Sequence, residues 1–119
     1  AENLLQYLER AAPKVPRAAG WGMAVAQALV AGPVELAVVG EADAVTELVR
    51  AARKTGQPGM VVARGTGGAA PSGVPLLADR PAPAEGALAY VCRGMVCRRP
   101  VGSAEELLAE LAGEIPTAD

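Results

Sequence analysis

Two cysteines, Cys92 and Cys97, are the residues of this chain whose type and spacing could do chemistry. They flank Gly94-Met95, and a glycine in the first position of a two-residue turn suits a type II′ β-hairpin. With such a turn, the two cysteines are directly opposite each other in a pair without backbone hydrogen bonds, close to disulfide reach. A redox-active cysteine pair is therefore one hypothesis for this region.

Three arginines, Arg93, Arg98 and Arg99, lie beside the cysteines in the sequence. Nearby cations favour the thiolate form of cysteine and raise its reactivity, and arginines also contact anions. The alternative is that the cysteines are two small buried hydrophobic residues whose thiols stay reduced in the cytosol. We favour this alternative because no partner base is visible in the sequence.

The turn Gly40-Glu41-Ala42-Asp43 lies between a predicted strand and a predicted helix, where doubly wound proteins bind phosphates. The glycine-rich fingerprint of dinucleotide sites is absent, and Glu41 and Asp43 would repel a phosphate. We therefore expect a tight turn with Glu41 or Asp43 capping the helix. Binding of a nucleotide or a small anion at residues 40–43 is the alternative.

Composition argues against several classes of function. The chain of 119 residues has no histidine, the commonest general base and metal ligand. Two cysteines alone cannot complete a structural zinc site. The formal net charge is −2, which gives little support to nucleic-acid binding. We expect no cofactor, no metal and no self-sufficient catalytic site, although the sequence leaves open whether the chain contributes to an enzyme.

The central part of the chain predicts a parallel βαβ unit. Val34–Gly40 is almost continuously apolar, which is typical of a central strand covered on both faces, and Met60–Arg64 is a second apolar strand. The segment 42–55 between them has apolar residues at helical spacing. A crossover of this kind places the two strands parallel in one sheet.

The later segments predict short strands and a final helix. We expect a strand around Val74–Ala78, a hairpin of 87–93 with 96–100, and a helix that begins at Ser103 with a capping box. Leu107, Leu108 and Leu111 are expected to form the buried face of this helix. The predicted fold class is α/β: a small mixed sheet with a parallel βαβ unit and a C-terminal β-hairpin, flanked by helices.

The N-terminal segment predicts two helices, at 2–12 and from about residue 16 or 17 to Ala31. The second is apolar on nearly every face, yet it is too short and too rich in glycine and alanine to favour a membrane span. A helix that is apolar all round is normally buried all round. We therefore expect residues 17–31 to self-associate as a homo-oligomer, or to fold over the sheet of the same chain.

The segment 89–107 resembles the C-terminal end of the spermatogenesis-associated protein 20 family and its bacterial relatives. Their tail reads roughly A-Y-x-C-x-x-x-x-C-x-x-P-x-x-x-x-E-E-L, and the letters of this pattern are present from Ala89 to Leu107. The order of the upstream elements is also similar, with final helices followed by a strand, a helix and a second strand.

The resemblance implies a protein of three parts: a thioredoxin-like domain, an (α/α)₆ barrel similar to N-acylglucosamine 2-epimerase, and a small C-terminal α/β region. This chain would be the third part. Residues 1–31 would be the trailing helices of, or the bridge from, the barrel, and residues 32–119 the small α/β domain. Cys92 and Cys97 match the cysteines of the family's tail, but no catalytic residue carries over. We therefore expect a cytoplasmic, non-catalytic accessory domain whose partners are the barrel and thioredoxin-like domains of the same protein, without nucleic-acid or membrane binding.

Overall fold

The computed structural model describes residues 2–66 and 73–113, in which four helices and four strands are formed. The helices are α1 (Glu2–Ala11), α2 (Gly20–Ala31), α3 (Ala42–Arg53) and α4 (Ala104–Ala112). The strands are β1 (Glu35–Gly40), β2 (Val61–Gly65), β3 (Ala87–Arg93) and β4 (Val96–Cys97). They form one mixed sheet in the order β2-β1-β3-β4, which confirms the predicted fold class.

Strand β1 is the centre of this sheet. It pairs in parallel with β2, from Glu35 opposite Val61 to Val39 opposite Gly65. It pairs antiparallel with β3 on its other side. Every residue of β1 after Glu35 is buried, as its continuous apolar sequence predicts. The parallel βαβ unit is therefore confirmed.

The two faces of the sheet are covered by different kinds of structure. Successive side chains of a strand point to opposite faces, so Leu36 and Val38 face one way and Ala37 and Val39 the other. The first face packs against α3 and α4 and carries most of the core. Among the described residues, the second face packs against a 3₁₀ turn, Pro75–Leu77. The strand predicted around Val74–Ala78 is therefore wrong; proline fixes φ and lacks an N–H group, which suits a helical first turn better than a strand interior.

Strand β4 is shorter than the predicted 96–100, and Pro100 accounts for the difference. In an unbroken hairpin register, Pro100 would face Ala89 but has no N–H group to donate. Instead Val101 faces Ala89: its N–H donates to the Ala89 carbonyl over 3.0 Å, and the Ala89 N–H donates to the Val101 carbonyl over 2.8 Å. Between Cys97 and Val101 the chain therefore has one residue more than the facing segment of β3, which is a β-bulge.

Helix α4 begins after Ser103 as predicted, but the Glu106 side chain bonds to the N–H of Gly102 rather than to that of the N-cap residue, so the capping box is only partly confirmed. The Ser103 side chain accepts a hydrogen bond from the Glu106 N–H, and the Glu106 carboxylate accepts one from the N–H of Gly102. Leu107 and Leu111 are buried, whereas Leu108 is 40% exposed. The prediction of a buried Leu108 is wrong because the sheet receives only one side of the helix.

Helices α1 and α2 form a hairpin that contacts the α/β part of the chain where Ala28 of α2 packs on Gly59, just before β2. Leu8 of α1 packs directly on Gly22 of α2, where a Cβ atom would overlap the leucine side chain. Helix α2 has no buried residue, and it begins at Gly20 rather than at residue 16 or 17. The sheet is covered by α3, α4 and the 3₁₀ turn, so the expectation that the N-terminal helices fold over it is wrong. Within 2–66 and 73–113, every helix is too short or too polar to cross a bilayer.

Candidate functional site: the cysteine pair of the hairpin

The β3–β4 hairpin places Cys92 directly opposite Cys97, as the sequence predicts. Their Cα atoms are 3.9 Å apart. The turn differs from the prediction: φ is 55° at Gly94 and 65° at Met95. Two positive φ angles define a type I′ turn rather than type II′, and both types match the twist of a hairpin.

Both cysteines lie on the sheet face that packs against the 3₁₀ turn. Cys92 is 1% exposed and packs with Ala37 and Val39 of β1, while Cys97 is half-buried at the edge of the same cluster. The two sulfurs are joined as a disulfide. The opposed positions follow from the strand register, which would hold the two thiols together in the reduced protein as well.

Arg80 is the cation that contacts the cysteine pair. Its Nη2 atom lies 3.0 Å from the Cys97 sulfur and 3.6 Å from the Cys92 sulfur. Its Nε–H donates to the carbonyl of Leu76, and its guanidinium carbon lies 4.7 Å from the centre of the Tyr90 ring. A hydrogen bond and a ring contact therefore hold the guanidinium over the sulfurs.

Sequence reasoning missed Arg80 because it is 12 residues from Cys92 and belongs to a proline-rich connection. The connection runs from the 3₁₀ turn to β3, so it has to cross the sheet face on which the cysteines lie. The sequence indicates such a crossing only indirectly: a central strand that is apolar on both faces requires some segment to cover its second face.

The three arginines singled out from the sequence have other surroundings. Arg93 and Arg98 each follow a cysteine by one residue, so strand alternation turns them toward the opposite face. Arg98 forms an ion pair with Glu110 of α4, at 3.0 Å. Arg99 is exposed. A role for any of the three in tuning a thiol or contacting an anion stays a prediction.

The turn at residues 40–43 is filled by another part of the chain. Gly40 has φ 145°, and a Cβ atom there would overlap the Gly86 carbonyl oxygen. The Glu41 N–H donates to that oxygen over 2.8 Å, and the Glu41 carboxylate accepts from the Gly86 N–H over 3.3 Å. Glu41 is the N-cap residue of α3 but its side chain makes no capping hydrogen bond, so the cap expected from it is not formed.

A cleft of about 460 Å³ lies beside this turn and is lined by Thr46, Arg64 and Thr66 among others. Arg64 donates to the Thr46 hydroxyl over 2.7 Å. Anion binding at 40–43 stays a prediction. The Glu41 carboxylate and the contact with Gly86 disfavour it, because they occupy the turn itself.

Comparison with family models, with curated proteins and with solved structures finds no match for this chain. Among residues 2–66 and 73–113, no group of three or more histidine, cysteine or acidic side chains is arranged to hold a metal ion. The hairpin cysteines with Arg80 are therefore the arrangement with the most definite chemistry in the described part of the chain.

Proposed function

We propose that this chain is a non-catalytic accessory domain that docks through helix α2 onto an apolar helical surface of a larger protein. One observation carries the proposal: α2 contains no charged residue and none of its residues is buried. The partner that the sequence resemblance suggests is the barrel domain of the same protein. The α/β part of the chain would then hold α2 in a position from which it can dock.

Three apolar side chains of α2 form a stripe suited to such docking. Trp21, Val25 and Leu29 are four residues apart, so they lie along one side of the helix, which we call the Trp21 stripe. Trp21 is 89% exposed, and Val25 and Leu29 are about half exposed. Full burial of one such side chain stabilises a complex by about 1.5–3 kcal/mol. Large apolar patches of this kind rarely stay uncovered in soluble proteins.

The chemistry of the stripe restricts its partner. Residues 18–34 contain no charged side chain, so the stripe offers no ion pair to a polar or charged surface. Apolar side chains at every fourth position along one side are the kind of anchors that a helix inserts into an apolar groove. In the isolated chain, the same stripe on a second copy is the available apolar helical surface, and we expect the two to pair.

Trp21, the single tryptophan of the chain, provides the test. As protein concentration rises from micromolar to millimolar, we expect Trp21 fluorescence to shift to the blue and its quenching by acrylamide to fall. Val25→Glu interrupts the stripe but leaves the fluorophore, so it should keep Trp21 solvated at every concentration. Quenching that is independent of concentration in the unaltered chain would contradict the proposal.

A thiol–disulfide exchange module is the second candidate function, and the contact of Arg80 with both cysteine sulfurs favours it. The reduced chain should reduce a small-molecule disulfide and form the Cys92–Cys97 bond. Alkylation of the remaining thiols followed by mass spectrometry of the protein would detect that bond. Failure of the reduced chain to react over hours at neutral pH would exclude this function and leave the docking proposal untouched.

A further inference from the structure

We propose that Arg80 makes Cys97 the reacting thiolate of the cysteine pair and leaves Cys92 as the resolving thiol. The inference rests on the second candidate function, thiol–disulfide exchange, and assigns its residues. Arg80 is a positioning residue that acts through the sulfur of Cys97. The substrate class is a small or exposed disulfide that can approach the half-buried edge of the hairpin.

The geometry distinguishes the two cysteines. The Arg80 Nη2 atom is 0.6 Å closer to Cys97 than to Cys92, the difference between 3.0 and 3.6 Å. Cys97 is half-buried, whereas Cys92 is 1% exposed and packed among apolar side chains. A cation at hydrogen-bonding distance stabilises a thiolate, and apolar surroundings destabilise one. The accessible sulfur is therefore also the one that ionises first.

Arg80 is held in place without help from the cysteines. Its Nε–H bonds to the Leu76 carbonyl, and its guanidinium lies over Tyr90. The positive charge thus stays over the sulfurs when the disulfide is reduced, at the time when a thiolate needs it. The guanidinium cannot lose its proton in a protein, so this effect persists across the range in which thiols titrate.

The reaction then proceeds in two displacement steps. The Cys97 thiolate attacks a disulfide R–S–S–R, forms the mixed disulfide Cys97–S–S–R and releases one thiolate RS⁻. The Cys92 thiol gives its proton to solvent, attacks the Cys97 sulfur and releases the second RS⁻, and the Cys92–Cys97 disulfide forms. Two protein thiols are oxidised and one R–S–S–R is reduced to two R–SH, whose protons replace the two that the cysteines lost.

The pH dependence of Cys97 alkylation tests the role of Arg80. In a Cys92→Ser background, which leaves Cys97 as the sole thiol, iodoacetamide should alkylate Cys97 with a midpoint clearly below the value of about 8.5 for free cysteine. Arg80→Met keeps much of the side-chain length but removes the charge. We expect it to raise the midpoint by about one unit and to slow alkylation at pH 7 about tenfold, because one unit is a tenfold change in thiolate fraction.

Two further variants separate charge from structure. Arg80→Lys keeps a positive charge and should restore much of the low midpoint. Arg93→Met removes a cation adjacent to Cys92 in sequence but directed to the other face, and should leave the midpoint unchanged. The inference would be overturned if the alkylation midpoint were the same with Arg80 and with Arg80→Met. It would also be overturned if Arg93→Met shifted the midpoint as much as Arg80→Met does. Disulfide exchange by the unaltered chain is measured separately, so failure of the function and failure of the Arg80 assignment give different results.

Discussion

Gly40 determines where the end of β1 meets the segment that leads into β3. Its φ of 145° is a conformation that residues with a Cβ atom rarely adopt, and the Gly86 carbonyl oxygen and Ala87 occupy the space beside its Cα atom. The contact allows the Glu41 N–H to bond to Gly86. One small residue thereby ties the βα turn to the antiparallel half of the sheet.

Gly40→Ala should therefore destabilise the chain by about 2 kcal/mol or more, because the added methyl group forces both strands apart and strains the backbone. Urea unfolding followed by circular dichroism measures the loss. Gly20→Ala is the matched control: no atom lies within 4 Å of its Cβ position. We expect that control to be unchanged or more stable than the unaltered chain by up to about 1 kcal/mol, because alanine is the better helix former.

Met95 adopts a left-handed conformation, with φ 65°, in the hairpin turn. For residues other than glycine this conformation costs about 1–2 kcal/mol. Met95→Gly removes that cost, and we expect a net gain of about 1 kcal/mol in the free energy of unfolding. Met95→Leu keeps the strain and should be neutral. If Met95→Gly were less stable than Met95→Leu, the type I′ turn would be wrong.

At the scale of elements, helix α4 shows how the sheet selects one side of a short helix. Leu107 is fully buried and Leu108, the next residue, is 40% exposed. The first packs into the core between α3 and the sheet, and the second faces outward. Apolar composition alone does not distinguish these two positions, because both are leucines in one turn of helix.

The pair gives a direct comparison of buried and exposed leucine. Leu107→Ala should lower the free energy of unfolding by about 2–5 kcal/mol, because it leaves a cavity in the main core. Leu108→Ala should cost less than about 1 kcal/mol, since alanine is also the better helix former. Equal losses in thermal or urea unfolding would contradict the packing of α4.

Local sequence patterns predicted most elements and the cysteine register. The continuous apolar run of β1, the helical spacing of α3 and the two-residue turn of the hairpin each act over a few residues, so they can be recognised without the fold. The 3₁₀ turn at Pro75–Leu77 and the position of Arg80 could not be predicted in this way. Both depend on a connection that crosses the second sheet face, a contact between segments far apart in sequence.

At the scale of the whole molecule, apolar surface is distributed unevenly. The sheet buries its own apolar side chains against α3, α4 and the 3₁₀ turn, whereas α2 keeps its large apolar side chains exposed. Val30 is 91% exposed and lies on the side of α2 opposite Trp21. The helix is therefore uncovered on two sides, and the α/β part of the chain needs no contact with it to complete its core.

Sedimentation equilibrium of the isolated chain over a wide concentration range tests this account most directly. We expect reversible self-association that Trp21→Glu weakens at least tenfold, about 1.4 kcal/mol, because a buried unpaired carboxylate would replace the largest apolar group of the stripe. Val96→Glu changes a hairpin residue that is 77% exposed and should leave the association unchanged. A chain that stays monomeric at millimolar concentration, or equal association of the two variants, would contradict docking through α2.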